Sequence, residues 1–178
     1  MRDRKGGPGY DGGYRVPFIV WCPGLVKPGK SDAIVCGIDL LPTFASMGGM
    51  PLPKGVDIAG RDISAVWTKG AASPHDAILL FNNEDVVGIR TQAWKYVDQT
   101  YYRGLAIPLG AAGYKELYDA KRDTAENYSV AEMHPDVTLE MQQRLAAARE
   151  AYAPFKKGIP AAILEKARQL KEGAKKQD

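Results

Sequence analysis

Hydrophobic and polar positions follow three different patterns along the 178 residues. VPFIVW (16–21) is an unbroken apolar run of β-branched and aromatic residues, the pattern of a strand covered on both faces. AIVCGIDLLPTFASMGG (33–49) predicts a short strand and then a helix, with Asp39 as N-cap, Pro42 in the first turn and Gly48-Gly49 as the stop. Leu40, Leu41, Phe44 and Met47 share one face at helical spacing and are expected in a core. Residues 51–76 read mostly as loop, with one turn that directs Ile63, Val66 and Trp67 inward. The segments 78–83, 86–91, 94–102 and 115–119 then read as four short strands, joined in part by tight turns at 82–85 and 91–93, an antiparallel meander.

From Pro135 to Tyr152 the period becomes helical. Val137, Met141, Leu145, Ala148 and Tyr152 form one apolar stripe, Pro135 fits the first helical position and Asp136 complements the helix dipole. A thinner stripe of Ile163, Ala167 and Leu170 predicts a peripheral last helix over 161–172. The expected architecture is α/β in class, and α+β within this stretch. Residues 1–76 read as the end of a larger α/β domain, 77–155 as a small four-stranded antiparallel sheet with an amphipathic helix, and 156–178 as a basic helical tail.

Composition changes this picture little, but charge needs locating. The net charge of +3 sits in the tail, where 156–178 carry seven Lys/Arg against three Asp/Glu; the rest holds 17 basic and 18 acidic residues. The folded part therefore gives no electrostatic case for nucleic-acid binding. No apolar run approaches the roughly 18–20 residues a membrane span needs. Cys22 and Cys36 lack the spacing of a zinc or thioredoxin-like site and read as buried free thiols.

Some polar residues have local structural readings. Asp11 and Arg15 are close enough to pair around the Tyr10-Asp11-Gly12-Gly13 turn. Lys95 lies on the opposite side of its strand from Trp94 and Tyr96, a packing pattern. Glu126-Asn127 after Asp123 reads as a turn rather than an acid–base carboxylate pair, and His134 as a flank of the helix start.

Three collinear blocks carry a family resemblance. KGGPGYDGGYRVPFIVWCPG (5–24), SDAIVCGIDLLPTFASMGG (31–49), and GIRTQAWKYVDQ (88–99) with ELYDAKRDTAENYSVAEMHPDV (116–137) resemble, in order and interval, the C-terminal part of sulfatases. The resemblance implies the last part of an alkaline-phosphatase-like α/β domain, hydrolysis of a sulfate ester in the full-length enzyme, a Ca2+ ion, and a formylglycine nucleophile made from a C/S-x-P-S-R motif. That motif does not occur here, nor does the family's late metal-binding Asp-Asn or Asp-His pair, and His75 and His134 match no catalytic histidine of the family. No catalytic residue and no metal ligand is therefore assigned to this chain.

One residue carries over. Lys5 matches the lysine of the family's K-G-x-x-Y and is a candidate sulfate contact, since an ammonium offers a compact charge with three donors. Tyr10 lies five residues after Lys5, where the family has four. A phosphoester or phosphonate-ester hydrolase of the same superfamily, or a non-catalytic module whose bare 16–21 strand associates, are the alternative readings. Residues 98–113, with Tyr101, Tyr102 and Arg103, are the expected stretch of pocket rim and select no particular sulfate ester. For a full-length member, the periplasm or cell exterior is compatible with the resemblance.

Overall fold

The four-stranded sheet is built from β1 (Ile78–Asn82), β2 (Asp85–Arg90), β3 (Trp94–Val97) and a strand at Glu116–Asp119, in that order and with every neighbour antiparallel. The chain is described here from a computed structural model that covers residues 9–82, 84–102, 105–108 and 115–156. Lys5, Arg103 and the expected last helix lie outside the described residues.

The 94–102 segment differs from its expected single strand. It breaks at Asp98, and β4 (Gln99–Tyr102) pairs instead with β5 (Leu105–Pro108) in a separate two-stranded hairpin. The break has a visible cause. Asp98 accepts two hydrogen bonds from Arg149, at 2.8 and 2.5 Å, and Arg149 Nε donates to the Val86 carbonyl at 2.8 Å. This fork ties the end of β3 to the long helix α4 (Pro135–Tyr152). The strand at Glu116–Asp119, β6, then returns to pair with β3.

Register separates the two faces of the sheet. Ile89, Tyr96 and Leu117 lie opposite one another across β2, β3 and β6, and pack with Met141 and Leu145 of α4. Arg90, Lys95 and Tyr118 align on the other face. There the chain at Gly9 approaches closely: a Cβ on Gly9 would lie 3.1 Å from Val97 Cγ1. The sheet is thus covered by α4 on one side and by residues near 9–14 on the other. The opening Gly-rich stretch does more than its composition suggests, because Tyr10 is buried and Asp11–Tyr14 form one helical turn, α1.

Residues 15–22 have no assigned secondary structure and join no ladder among the described residues. Helix α2 (Leu40–Met47) follows a 3-10 turn at Gly37–Asp39 and precedes α3 (Ser64–Lys69). The expected core face of α2 is corrected: Leu41, Phe44 and Met47 are exposed, whereas Pro42 and Thr43 are buried. The reason is polar anchorage. Thr43 Oγ1 donates to the Asp39 carbonyl at 2.6 Å and accepts the Ile63 N–H at 3.0 Å, which turns the apolar stripe outward. Ile63 and Val66 are buried as expected, with Trp67 half-buried. Cys22 and Cys36 are free thiols, half-buried rather than buried.

Candidate functional site

The strongest concentration of charge lies on the sheet face opposite α4. Lys95 projects there from β3 because Trp94 and Tyr96 take the core side. Its side chain is 2% exposed and donates to Asp11 Oδ1 at 2.6 Å and to Glu126 Oε1. Glu126 Oε2 accepts the Asp11 N–H at 2.7 Å, so the three residues close a ring. Glu126 has φ +59°, a left-handed conformation rare for a side chain of its size, at the turn that Asp123 organises by accepting the Tyr128 N–H. Beside the ring, the Tyr10 hydroxyl bonds Glu116 of β6.

Burial and charge pull the two carboxyls in opposite directions. For Glu126, burial dominates and raises its pKa above the usual value, despite the hydrogen bond and charge of Lys95. For Asp11, burial also pushes upward, but the Lys95 hydrogen bond and charge, with Arg90 and Arg15 behind them, hold the carboxyl below the ordinary range. Arg15 itself is a distant partner at 3.6 Å and is half exposed, so the expected Asp11–Arg15 pair is secondary to Lys95.

A second polar centre holds the loops of the first half. Asp39 is completely buried and accepts the N–H groups of Cys36 at 2.7 Å and Arg61 at 2.9 Å. His75 Nε2 donates to its Oδ1 at 2.8 Å, the direction required because the carboxylate only accepts. The Asp39 side chain thus does not cap α2; it gathers residues 36, 61 and 75. Gly60 passes so close that a Cβ there would fall 2.0 Å from the Ile38 carbonyl oxygen.

The bonds of both centres run between separate stretches of chain. The Lys95 ammonium meets two carboxylates, and the space between it, Arg90, Thr124 and Glu126 is about 10 Å³, room for one water at most. The ring is a tie between β3, the Asp11 turn and the Glu126 turn. No three His, Cys, Asp or Glu side chains among the described residues are grouped to hold a metal ion. Among the described residues no helix is long and apolar enough to cross a membrane. Of the candidates from sequence, Lys5 lies outside the described residues, and His134 is the N-cap residue of α4 by position without a side-chain cap bond, its ring tilted by 53° against Trp94 with centroids 5.0 Å apart. The Lys95–Glu126 and Asp39–His75 pairs were not foreseen. A charged residue inside a β-branched and aromatic strand was the available signal for Lys95.

No family model matches the chain. Curated relatives do. Human arylsulfatase A is 30% identical over 171 residues, 84% of this chain and 34% of its own length. The N-acetylgalactosamine-6-O-sulfatase of Bacteroides thetaiotaomicron is 29% identical over 141 residues, 76% of this chain and 27% of its own. A Hemicentrotus pulcherrimus arylsulfatase is 35% identical over 86 residues, 48% of this chain and 16% of its own. Among solved structures, a protein from work on glycosaminoglycan metabolism by Bacteroides thetaiotaomicron superposes with TM-score 0.63 at 26% identity, covering 80% of this chain and 31% of that one. Another, in complex with its substrate D-glucosamine-2-N,6-O-disulfate, gives 0.51 at 25% identity, covering 70% and 26%. The chain therefore spans about a third or less of the length of these relatives. With the collinear blocks, the antiparallel sheet and the helix on it all in place, the chain belongs to the sulfatase family and corresponds to the C-terminal portion of those enzymes.

Proposed function

We propose that this chain is the C-terminal portion of a sulfuric-ester hydrolase, in which Lys5 contacts the sulfate group of the substrate. The observation that carries the reading is the family match, taken with the resemblance of residues 5–24 to the family's K-G-x-x-Y block. Support comes from how firmly that segment is held: Tyr10 by Glu116, and Asp11 by both Lys95 and Glu126. An ammonium offers a compact charge with three donors, the chemistry that stabilises charge on a sulfate oxygen.

In the full-length enzyme we propose a divalent metal, calcium, which would neutralise charge on the sulfate oxygens. No three His, Cys, Asp or Glu among the described residues are grouped for such an ion, and we propose that its ligands lie outside the described residues. Substrates of the named relatives suggest sulfated amino sugars as the first compounds to try.

The test is a kinetic comparison in the full-length enzyme, with aryl sulfate, sulfated amino sugar and aryl phosphate as substrates. The expected result is preference for a sulfate ester and a loss of about 10²-fold or more in kcat/KM for Lys5→Ala, the scale of removing one transition-state donor. Preference for the phosphate, or an unchanged rate in Lys5→Ala, would refute the proposal.

A further inference from the structure

Three successive residues fix the chain to the sheet face opposite α4, each by a different means. Gly9 has φ +73°, and a side chain there would run into Val97 of β3. Tyr10 is buried, and its hydroxyl bonds Glu116 of β6. Asp11 is held twice, through its carboxylate by Lys95 and through its N–H by Glu126. Beyond the Asp11 turn, residues 15–22 join no ladder among the described residues. The firmest hold on this stretch is therefore at its upstream end, the end nearer Lys5 in sequence.

Two features of the ring are poorly explained by stability alone. Glu126 takes a left-handed backbone at φ +59°, and such outliers gather where function fixes the chain. A buried ion network often stabilises no better than apolar side chains of the same volume, while its directional bonds admit one arrangement. The ring itself takes no ligand, since the space beside Lys95, Arg90, Thr124 and Glu126 holds one water at most. Any part it has in a reaction is played through another residue.

We propose that Lys95 and Glu126 are positioning residues for Lys5, and that they fix, through Asp11, the anchor from which that lysine reaches the sulfate group. The inference rests on the proposed sulfate contact and deepens it. Lys5 precedes Gly9 by four residues. Its Cα therefore stays within roughly 14 Å of Gly9 whatever path the chain takes. A shift of residues 9–11 moves the centre of the volume the ammonium can search, and a misplacement of about 1 Å can cost about 10²-fold in rate.

The experiment is a double-mutant cycle in the full-length enzyme, with a chromogenic aryl sulfate as the probe. Glu126→Gln removes the charge and keeps the size of the side chain. The triple change Lys95→Met with Asp11→Asn and Glu126→Gln leaves neither carboxylate buried without its cation. Thermal melts establish that each variant is folded at the assay temperature. Each should lower kcat by about tenfold or more, with KM little changed, as for a lysine displaced from a transition-state contact. In the Lys5→Ala background the same changes should alter kcat/KM by less than about twofold, because the lysine they position is gone. A merely structural role gives the same fold-loss in both backgrounds, and that additivity would overturn the inference. So would an unchanged kcat in folded Glu126→Gln when Lys5→Ala is impaired. A silent Lys5→Ala would instead refute the sulfate contact, and the positioning role with it.

Discussion

Lys95 Nζ lies 2.6 Å from Asp11 Oδ1 across 84 residues of sequence, and the same ammonium bonds Glu126 from the other side. Three separate stretches of chain therefore meet on one charge. Two carboxylates around one buried cation are stable only while the cation stays, because each would otherwise be desolvated without a partner.

Removing Lys95 is therefore expected to be severe. Lys95→Ala should destabilise by about 3–5 kcal/mol, the range for breaking a buried pair from one side. The triple change Lys95→Met with Asp11→Asn and Glu126→Gln should cost clearly less than Lys95→Ala alone, because no uncompensated charge remains. Urea unfolding of the three proteins checks the order; equal losses would show that charge balance is not what the ring supplies.

Acid dependence follows from the opposed shifts. Asp11, held low, contributes stability present above its unfolded value of 3.8 and lost as pH falls through its depressed folded value. Glu126, raised above 4.5, contributes stability present below that value and lost as pH rises through its folded value. In Glu126→Gln the second effect disappears, so the change in unfolding free energy from pH 4 to pH 7 should become more positive than in the parent. Asp11→Asn should instead flatten the rise in stability as pH climbs toward 4, the range in which a depressed Asp11 supplies it. Chemical unfolding at a series of pH values between 3 and 7 reads both signs.

The Asp39 centre makes a separate prediction. His75→Ala leaves a fully buried carboxylate one donor short and should cost about 1–3 kcal/mol. Gly60→Ala should also destabilise, since its Cβ meets the Ile38 backbone rather than a movable side chain. Thermal melts of the two variants, and of their double, check this. A shared local cause predicts a double loss smaller than the sum of the singles.

The fork at Asp98 tests why β3 ends where it does. Arg149→Lys keeps the charge but cannot reach both carboxylate oxygens and the Val86 carbonyl together. The expected cost is about 1–2 kcal/mol by denaturant unfolding, with faster amide exchange near Asp98; no change in exchange would place the strand break elsewhere.

The sheet and its helix were readable in sequence because their information is local. Pro135, the stripe through Met141 and Leu145, and the strand-length runs at 78–90 each state their own structure and their own buried side. The faces of β3 were readable too, since Trp94 and Tyr96 alternate with Lys95. What Lys95 meets was not, because Asp11 and Glu126 come from distant turns, and alternation gives the side but not the partner. Helix α2 misled for a physical reason. Its apolar stripe is real, but Asp39 and Thr43 hold the polar side inward, so periodicity identified an apolar face without saying which way it turns. Lys5 was legible only through the family motif.

The most direct measurement is turnover of a chromogenic aryl sulfate by the purified 178-residue chain with calcium present. With structural ties and one proposed sulfate-contacting lysine but no assigned nucleophile, the chain is expected to give no hydrolysis above the buffer rate. Hydrolysis that stays with the chain through purification would contradict it, because it would require a nucleophile among residues to which none is assigned.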